Sequence, residues 1–218
     1  AYCSHIKKLE AENFYRWNLS LYRSDAGLHE STPWYATNYD DNNWQTVNMF
    51  SQSWGNNGLN PIGGSHWLRQ DIEIPQSWNG KEATLRLGCI VDADSVYVNG
   101  VFVGTTSYQY PPRIYRIPAG ILKSGKNNIT VRIISNGGQP GFVQEKPYKI
   151  ICDNEEINLK QKWKYRLGAP MPPAPEMMFF WYKPVCLYNA MIAPLQNYSI
   201  RGVLWYQGES NVSRRNEY

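Results

Sequence analysis

The chain has 218 residues, which is long enough for a sizeable hydrophobic core. Its net charge of +4 is mild, and Lys and Arg are scattered, so we predict no nucleic-acid partner. No run of about 18 apolar residues occurs, which predicts no membrane partner. Aromatic residues reach 14%, a bias that suits β-sandwiches and surfaces that face carbohydrate.

The cysteines are widely spaced along the chain, with no CxxC pair and no Cys/His cluster. They are Cys3, Cys89, Cys152 and Cys186. This spacing argues against a structural zinc site, and we predict no metal site and no cofactor. Buried free thiols are the simpler interpretation, and one disulfide stays open as the alternative.

The first predicted element is an amphipathic helix from Ser4 to about Asn18, which the SDAG stretch at 24–27 ends. Its apolar residues recur at intervals of three to five among Lys, Glu and Arg. They are Ile6, Leu9, Phe14 and Trp17. This apolar face needs a partner, and we expect a preceding domain to supply it.

From Trp34 to Ile151 the pattern changes to short alternating segments separated by Gly, Asn and Pro turns. HWLRQDIEIP at 66–75 alternates as a strand does, and Asn99-Gly100 is a favoured two-residue hairpin turn. Two further rows of alternating residues are predicted to face inward. They are Ala83, Leu85 and Leu87, and Ile129, Val131 and Ile133. The segment therefore predicts a mainly β fold, an antiparallel β-sandwich.

After Ile150 the sequence predicts one or two more strands, and then a Pro-rich connector, PMPPAPEMM, that excludes helix. Leu187–Leu195 has helical spacing, and IRGVLWYQ is typical of a buried parallel strand. A sandwich beside short α and α/β pieces follows. The predicted domains are a helical segment at 1–29, the sandwich at 30–152, a strand-rich and Pro-rich connector at 153–183 and a helix-strand piece at 184–218.

The QGESN stretch at 207–211 begins where the last predicted strand ends, and sites form at that edge of open α/β sheets. Gln207 and Asn211 carry side-chain amides, and Gly208 lets a backbone N–H approach a ligand closely. Such donors suit an oxyanion, where each contributes roughly 3 kcal/mol. The alternative is a tight strand-to-helix turn in which Ser210 or Asn211 caps the helix.

Ser210 resembles the nucleophile of a G-x-S-x-G elbow, but Val212 stands where the second Gly belongs. A nucleophilic Ser also needs a base, and the three His lie far upstream at positions 5, 29 and 66. We therefore do not assign Ser210 as the nucleophile.

Two places in the predicted sandwich carry polar or aromatic groups suited to ligands. Asp92 and Asp94 could hold calcium on a loop, although such a pair more often polarises a strand edge. Tyr110 and Arg113, with the tyrosines around them, could stack a sugar or pair a carboxylate. Packing against a neighbouring domain is the alternative for this second group.

Three stretches together resemble a known family. GVLWYQGESN at 202–211, LYNAMIAPL at 187–195 and the stretch at 90–120 are closely similar to the sialate O-acetylesterases, which are SGNH-type carbohydrate esterases. The strands also resemble the galactose-binding-like jelly roll of glycoside hydrolases. The resemblance implies a sandwich inserted in an interrupted SGNH hydrolase domain, and a chain that is a central piece of such an enzyme.

The resemblance also implies roles for individual residues. Gln207 or Gly208 would donate to the oxyanion and Glu209 would position it. Tyr206 and Asn211, with Tyr110 and Arg113, would contact the substrate, an O-acetylated sialic acid or a related glycan.

The family's G-Q-S-N-M nucleophile block and its D-x-x-H pair are not found in these 218 residues. We therefore expect the chain alone to lack esterase activity, and the rest of its catalytic domain to be a partner. The family implies an extracytoplasmic location. A carbohydrate-binding or docking sandwich without catalysis is the alternative.

Overall fold

The computed structural model describes residues 2–50, 54–177, 188–202 and 204. Lys8–Glu176 forms one compact unit, and Ala1–Lys7 with Met177–Tyr218 forms a second. None of the helices in the described ranges has both the length and the apolar character needed to cross a membrane.

The larger unit is built from short strands, as the alternating sequence predicts. In chain order the described strands are β1 Gln45–Val47, β2 Gly63–Ile74, β3 Ala83–Leu87, β4 Ile90–Val91, β5 Ala93–Val98, β6 Val101–Thr106, β7 Ile114–Ile117, β8 Gly125–Ser135, β9 Gly141–Phe142, β10 Tyr148–Cys152, β11 Glu155–Asn158 and β12 Trp163–Met171. All of their pairings are antiparallel.

These strands form two main sheets. The six-stranded sheet has the order β1-β12-β2-β8-β5-β6, and the four-stranded sheet has the order β11-β10-β3-β7. A short two-stranded sheet joins β4 and β9. One hydrophobic cluster takes side chains from both main sheets, including Leu68 and Val131 from one and Leu85 and Ile150 from the other. The predicted antiparallel β-sandwich is therefore confirmed.

Several local predictions in the sandwich are confirmed. The inward rows on β3 and β8 are buried, with Leu85, Ile129 and Val131 fully inaccessible to solvent. Asn99 and Gly100 connect β5 to β6 with positive φ angles of 48° and 79°. That backbone is the one that a two-residue hairpin turn of this type requires, and Asn-Gly adopts it at little cost.

Strand β2 lies inside the six-stranded sheet and is buried on both faces over most of its length. One face contributes Leu68 to the core between the sheets. The other face carries Trp67, which packs with Trp34 and Trp44 in an aromatic cluster outside the sheet. The segment between the first helices and β1 therefore covers the outer face of the sheet.

Two helices precede the strands, α1 at Tyr2–Ser24 and α2 at Ala26–His29. Asp25 separates them and caps α2, because its carboxylate accepts the Gly27 N–H. Asp25 is fully buried and also accepts Trp67 Nε1 at 2.9 Å and Arg132 Nε at 2.7 Å, which ties this corner to the sandwich.

The apolar face of α1 finds part of its partner within the chain, where sequence reasoning expected a preceding domain. Trp17 and Leu21 are buried against Ala169 of β12, and Trp17 Nε1 donates to the Pro172 carbonyl. Several other aromatic and aliphatic side chains of α1 stay exposed. They are Leu9, Phe14, Tyr15 and Tyr22.

The compact unit is wider than the sandwich predicted at 30–152. Strands β11 and β12 lie in the predicted connector at 153–183, yet each pairs with a strand of a main sheet. Pro170 and Met171 of the Pro-rich stretch still belong to β12. The described residues 172–177 that follow contain no helix, as predicted.

In the smaller unit, the predicted helix at Leu187–Leu195 is seen as a π-helical turn at Tyr188–Ile192 and a 3₁₀ turn at Ala193–Leu195. Pro194 explains the break, because it has no N–H to continue a regular α-helix. Of the predicted buried strand IRGVLWYQ at 200–207, residues 203 and 205–207 lie outside the described residues. Residues 200–202 and 204 are described, and they are exposed and not in a strand, so the prediction of a buried strand is wrong for them.

Candidate functional site

The residues predicted to bind or position an oxyanion lie outside the described residues. This applies to Gln207, Gly208 and Glu209, and to the predicted substrate contacts Tyr206 and Asn211. Their roles stay predictions from the sequence. Of the predicted site residues, the structure describes Tyr110 and Arg113, which lie on the connection from β6 to β7.

Arg113 is fully buried just before β7 and uses all five of its N–H donors within the protein. Its Nε donates to Asp94 Oδ1 at 2.6 Å. The remaining donors reach main-chain carbonyls, with Nη1 bonded to Gln109 O and Pro111 O and Nη2 to Ile90 O and Asp92 O. The prediction that Arg113 contacts substrate is corrected, because no donor is left for one.

Asp94 is the carboxylate that Arg113 pairs. Its second oxygen accepts the hydroxyl of Tyr115 at 2.5 Å, and Thr106 Oγ1 lies 2.8 Å from the same hydroxyl. Burial raises the pKa of Asp94, and the bonds from Tyr115 and Arg113 oppose that rise. Burial and the bond to Asp94 also raise the pKa of Tyr115. This cluster holds β5 to β6 and β7.

The calcium alternative for Asp92 and Asp94 receives no support from this geometry. Both carboxylate oxygens of Asp94 are engaged by Arg113 and Tyr115. Asp92 Oδ2 accepts the Asn136 N–H at 2.8 Å and so orders the loop after β8. The pair therefore connects strands and loops of the sandwich. Asp94 is buried in β5, between β8 and β6, so it does not polarise a strand edge as the simpler interpretation expects.

Tyr110 is accessible, in contrast to Arg113. It is 67% exposed, and its ring meets that of Tyr108 edge to face with centroids 5.0 Å apart. Cys89 Sγ donates to the Tyr110 carbonyl at 3.2 Å and fixes the main chain there. Tyr110 borders a small cavity of about 260 Å³, together with Arg86 and Lys146. Tyr110 keeps a free aromatic face for a sugar ring.

The two described cysteine side chains are free, buried thiols, at Cys89 and Cys152, as the simpler interpretation predicts. Burial raises the pKa of the Cys152 thiol, which keeps it protonated at neutral pH.

Two of the described histidines, His66 and His29, have structural surroundings. His66 is fully buried, with Nδ1 3.0 Å from the Tyr165 hydroxyl and Nε2 3.0 Å from the Ile62 carbonyl. Burial lowers its pKa. His29 Nε2 lies 2.6 Å from the Tyr22 carbonyl. Within the described part of the chain, neither ring is bonded to a Ser hydroxyl or a Cys thiol that it could activate.

One cavity of the larger unit is a groove that sequence reasoning missed. It is a groove of about 610 Å³ on the larger unit, bordered by the β5–β6 turn, the β7–β8 connection and residues 37–41. We call it the Arg69 groove. Its walls include Tyr39, Arg69, Asp71, Val101, Lys123 and Lys126. These residues are far apart in the sequence, and no local motif marks them.

Comparisons with solved structures find only weak likeness. A β-glucuronidase from Ruminococcus gnavus is 22% identical, with a TM-score of 0.33 over 42% of this chain and 15% of that one. A putative β-galactosidase from Bacteroides fragilis is 23% identical, with a TM-score of 0.34 over 44% of this chain and 15% of that one. The architecture above rests on the strand pairing of this chain alone.

Comparisons of sequence give a shorter and sharper match, although no family model matches the chain. A segment of 26 residues, 12% of the chain, is 72% identical to sialate O-acetylesterase from Mus musculus. A segment of 27 residues is 63% identical to the enzyme of that name from Homo sapiens. Each match spans only 5% of the relative's length. A short segment of this chain is thus homologous to sialate O-acetylesterases, which are esterases.

Proposed function

We propose that the chain is part of a carbohydrate esterase that removes O-acetyl groups from sialic acids by Ser-His-Asp acyl transfer. The observation that carries this proposal is the 72% identity over 26 residues to a sialate O-acetylesterase. The WYQGESN string at 205–211 supports it, because the side-chain amides of Gln207 and Asn211 and the main-chain N–H of Gly208 are donors that suit an oxyanion.

In this proposal residues 207–209, the QGE residues, bind the developing oxyanion. Gln207 or Gly208 donates a hydrogen bond to it, and Glu209 positions the donor. Tyr206, Asn211 and Tyr110 contact the sugar. Arg113 is left out, because Asp94 and main-chain carbonyls occupy its donors. Acyl transfer of this kind needs no cofactor.

The nucleophile and the base are assigned to residues beyond these 218. The sequence contains neither a G-Q-S-N-M block nor a D-x-x-H pair, and the surroundings of His29 and His66 suit structural roles. We propose that residues 1–29 and 184–218 associate with the remainder of the catalytic domain. The exposed Phe14 and Tyr15 of α1 are available for that contact. An extracytoplasmic location follows from the proposed family.

The experiment compares the 218-residue chain with a longer protein that contains it together with both missing blocks. We expect the longer protein to hydrolyse 9-O-acetylated sialic acid, and Gln207→Ala to lower its kcat about 100-fold. The matched control is Gln196→Ala, whose side chain bonds to the Tyr188 hydroxyl at the surface. We expect the 218-residue chain to show no turnover of that substrate or of 4-nitrophenyl acetate.

Two outcomes would contradict the proposal. The first is an inactive longer protein that is folded and carries both blocks. The second is turnover by the 218-residue chain that Ser210→Ala abolishes, because this would make Ser210 the nucleophile.

A further inference from the structure

The Arg69 groove brings together three parts of the larger unit. Arg69 lies in β2, Val101 follows the β5–β6 turn, and Lys123 precedes β8. The volume of about 610 Å³ lies within the range of small-ligand sites, about 300–1,000 Å³. A single sugar residue fits such a space.

The acidic side chains of the groove already have cationic or amide partners. Asp41 accepts Arg69 Nε at 2.8 Å on one oxygen and Lys164 Nζ on the other. Asp71 accepts Asn128 Nδ2 at 2.9 Å and lies 2.9 Å from Lys126 Nζ. Their negative charge is therefore compensated within the protein.

Two cationic side chains of the groove keep N–H donors that have no partner among the described residues. Arg69 is only 2% exposed, and its Nε and Nη1 bond to Asp41, Thr130 and main-chain carbonyls. Its Nη2 has no hydrogen-bond partner among the residues that the structure describes. The same holds for Lys123 Nζ, within the described ranges. Arg69 borders the groove. A guanidinium nitrogen without a partner at the wall of a groove attracts an anionic ligand group, and a carboxylate matches it well.

The rest of the wall suits a hydroxylated ring. Val101 is 47% exposed and Ile121 is half-buried, and they add an apolar surface for the C–H face of a sugar. The phenol ring of Tyr39 lies beside Arg69, with the guanidinium carbon 5.6 Å from the ring centroid. Asp71 keeps lone pairs that can accept sugar hydroxyls. Apolar walls with a few placed polar groups are typical of such sites.

We propose that the Arg69 groove binds an acidic sugar, with the carboxylate facing Arg69 Nη2 and Lys123 and the ring against Val101 and Tyr39. This site lies on the sandwich and needs none of the QGE residues. The proposal therefore goes beyond the proposed esterase function and stands or falls separately from it.

The test is a calorimetric titration of the 218-residue chain with the methyl glycosides of N-acetylneuraminic acid, glucuronic acid and galactose. We expect the two acidic sugars to bind at least about tenfold more tightly than neutral galactose, since a buried guanidinium to carboxylate bond contributes more than about 1.4 kcal/mol. Binding is expected to weaken as salt is raised.

Three variants locate the site. We expect Lys123→Ala to weaken binding about fivefold and Val101→Glu to abolish it, because the new carboxylate repels the ligand and covers the apolar wall. Both positions are exposed, so folding is expected to be unaffected. The matched control is Lys81→Ala, an exposed lysine paired with Asp153 away from the groove, which should bind like the parent chain.

The proposal is overturned if galactose binds as tightly as the acidic sugars, or if no sugar binds. It is also overturned if Lys123→Ala and Lys81→Ala have equal effects, because attraction would then come from the overall positive charge. An inactive esterase with an intact groove would leave these results unchanged, which separates the two proposals.

Discussion

Two buried Arg–Asp pairs of the sandwich differ in one respect. Arg113 and Asp94 are fully enclosed, and all five guanidinium donors and both carboxylate oxygens have partners. Arg69 and Asp41 are almost as well buried, but Arg69 forms one edge of a groove of about 610 Å³.

The difference separates a structural role from a binding role. A saturated arginine such as Arg113 has nothing left to offer a ligand, whatever its neighbours in the sequence indicate. An arginine that is held by an aspartate and main-chain carbonyls, that borders a groove and that keeps one guanidinium nitrogen without a bond is already positioned for an anion. Little conformational entropy is then lost when the anion binds.

The largest effect on the free energy of unfolding is expected at the fully enclosed pair, Arg113 with Asp94. Asp94→Ala leaves Arg113 buried with its charge unpaired, and we expect the free energy of unfolding to fall by about 3–5 kcal/mol. Urea denaturation followed by tryptophan fluorescence measures it. If that variant does not fold, Tyr115→Phe removes a single bond to Asp94 and should cost about 1 kcal/mol. A loss below 1 kcal/mol for Asp94→Ala would contradict the closed character of this pair.

A smaller loss in the free energy of unfolding is expected at the pair that borders the groove, Arg69 with Asp41. In Asp41→Ala, Arg69 keeps the Trp34 and Ala36 carbonyls and Thr130 Oγ1 as acceptors. Arg69 also borders the groove. We expect a loss of about 1–3 kcal/mol in the same urea assay. Equal losses for Asp41→Ala and Asp94→Ala would remove the distinction between the two pairs.

The pH dependence of the two pairs is expected to differ in sign. Burial favours a higher pKa for Asp41, but the bonds and charges of Lys164 and Arg69 outweigh it and hold that pKa below its usual value. Its stabilising contribution is present above pH 3.9 or so, and is lost as the pH falls through the folded-state pKa. Burial raises the pKa of Asp94, so ionisation of this carboxyl lowers the free energy of unfolding as the pH rises through the folded-state pKa.

Urea midpoints measured between pH 3 and pH 6 test this difference. The gap between the parent chain and Asp41→Asn should narrow toward pH 3, whereas the gap for Asp94→Asn should widen. If the urea midpoints of the two variants changed with pH in parallel, the predicted opposite directions of the two pKa shifts would be contradicted.

The smallest effect is expected at an exposed pair, Lys81 with Asp153, whose side chains are 49% and 68% exposed. Water screens the two charges, so Lys81→Ala should leave the urea midpoint within error of the parent chain. A clear loss there would show that burial is not what distinguishes Arg69 and Arg113 from other ion pairs.

Much of the fold could be predicted from local sequence patterns. The alternation at Ile129, Val131 and Ile133 predicts an inward row, because side chains of a strand alternate between its faces. Asn99-Gly100 predicts a hairpin turn, because few other dipeptides adopt positive φ at both positions. These predictions succeed because the cause lies within a few residues of the effect.

Strand partners could not be predicted in this way. Strand β12 lies in the segment predicted as a connector and runs into its Pro-rich stretch, yet it pairs with β1 and β2, whose residues lie about 90 or more positions earlier. Nothing in the local pattern of 163–171 names those partners. The predicted sandwich boundary at residue 152 therefore leaves out β11 and β12, which belong to the two main sheets.

For the candidate site, too, some features follow from the local sequence and others only from the tertiary structure. Sequence alone identified a string shared with an esterase family and an accessible tyrosine, Tyr110, because residue identity is local. Tertiary structure decided that Arg113 is saturated and that Arg69 faces a groove. Burial and the count of free donors depend on carbonyls and carboxylates from distant segments, and only the packed sheets bring those groups within hydrogen-bond distance.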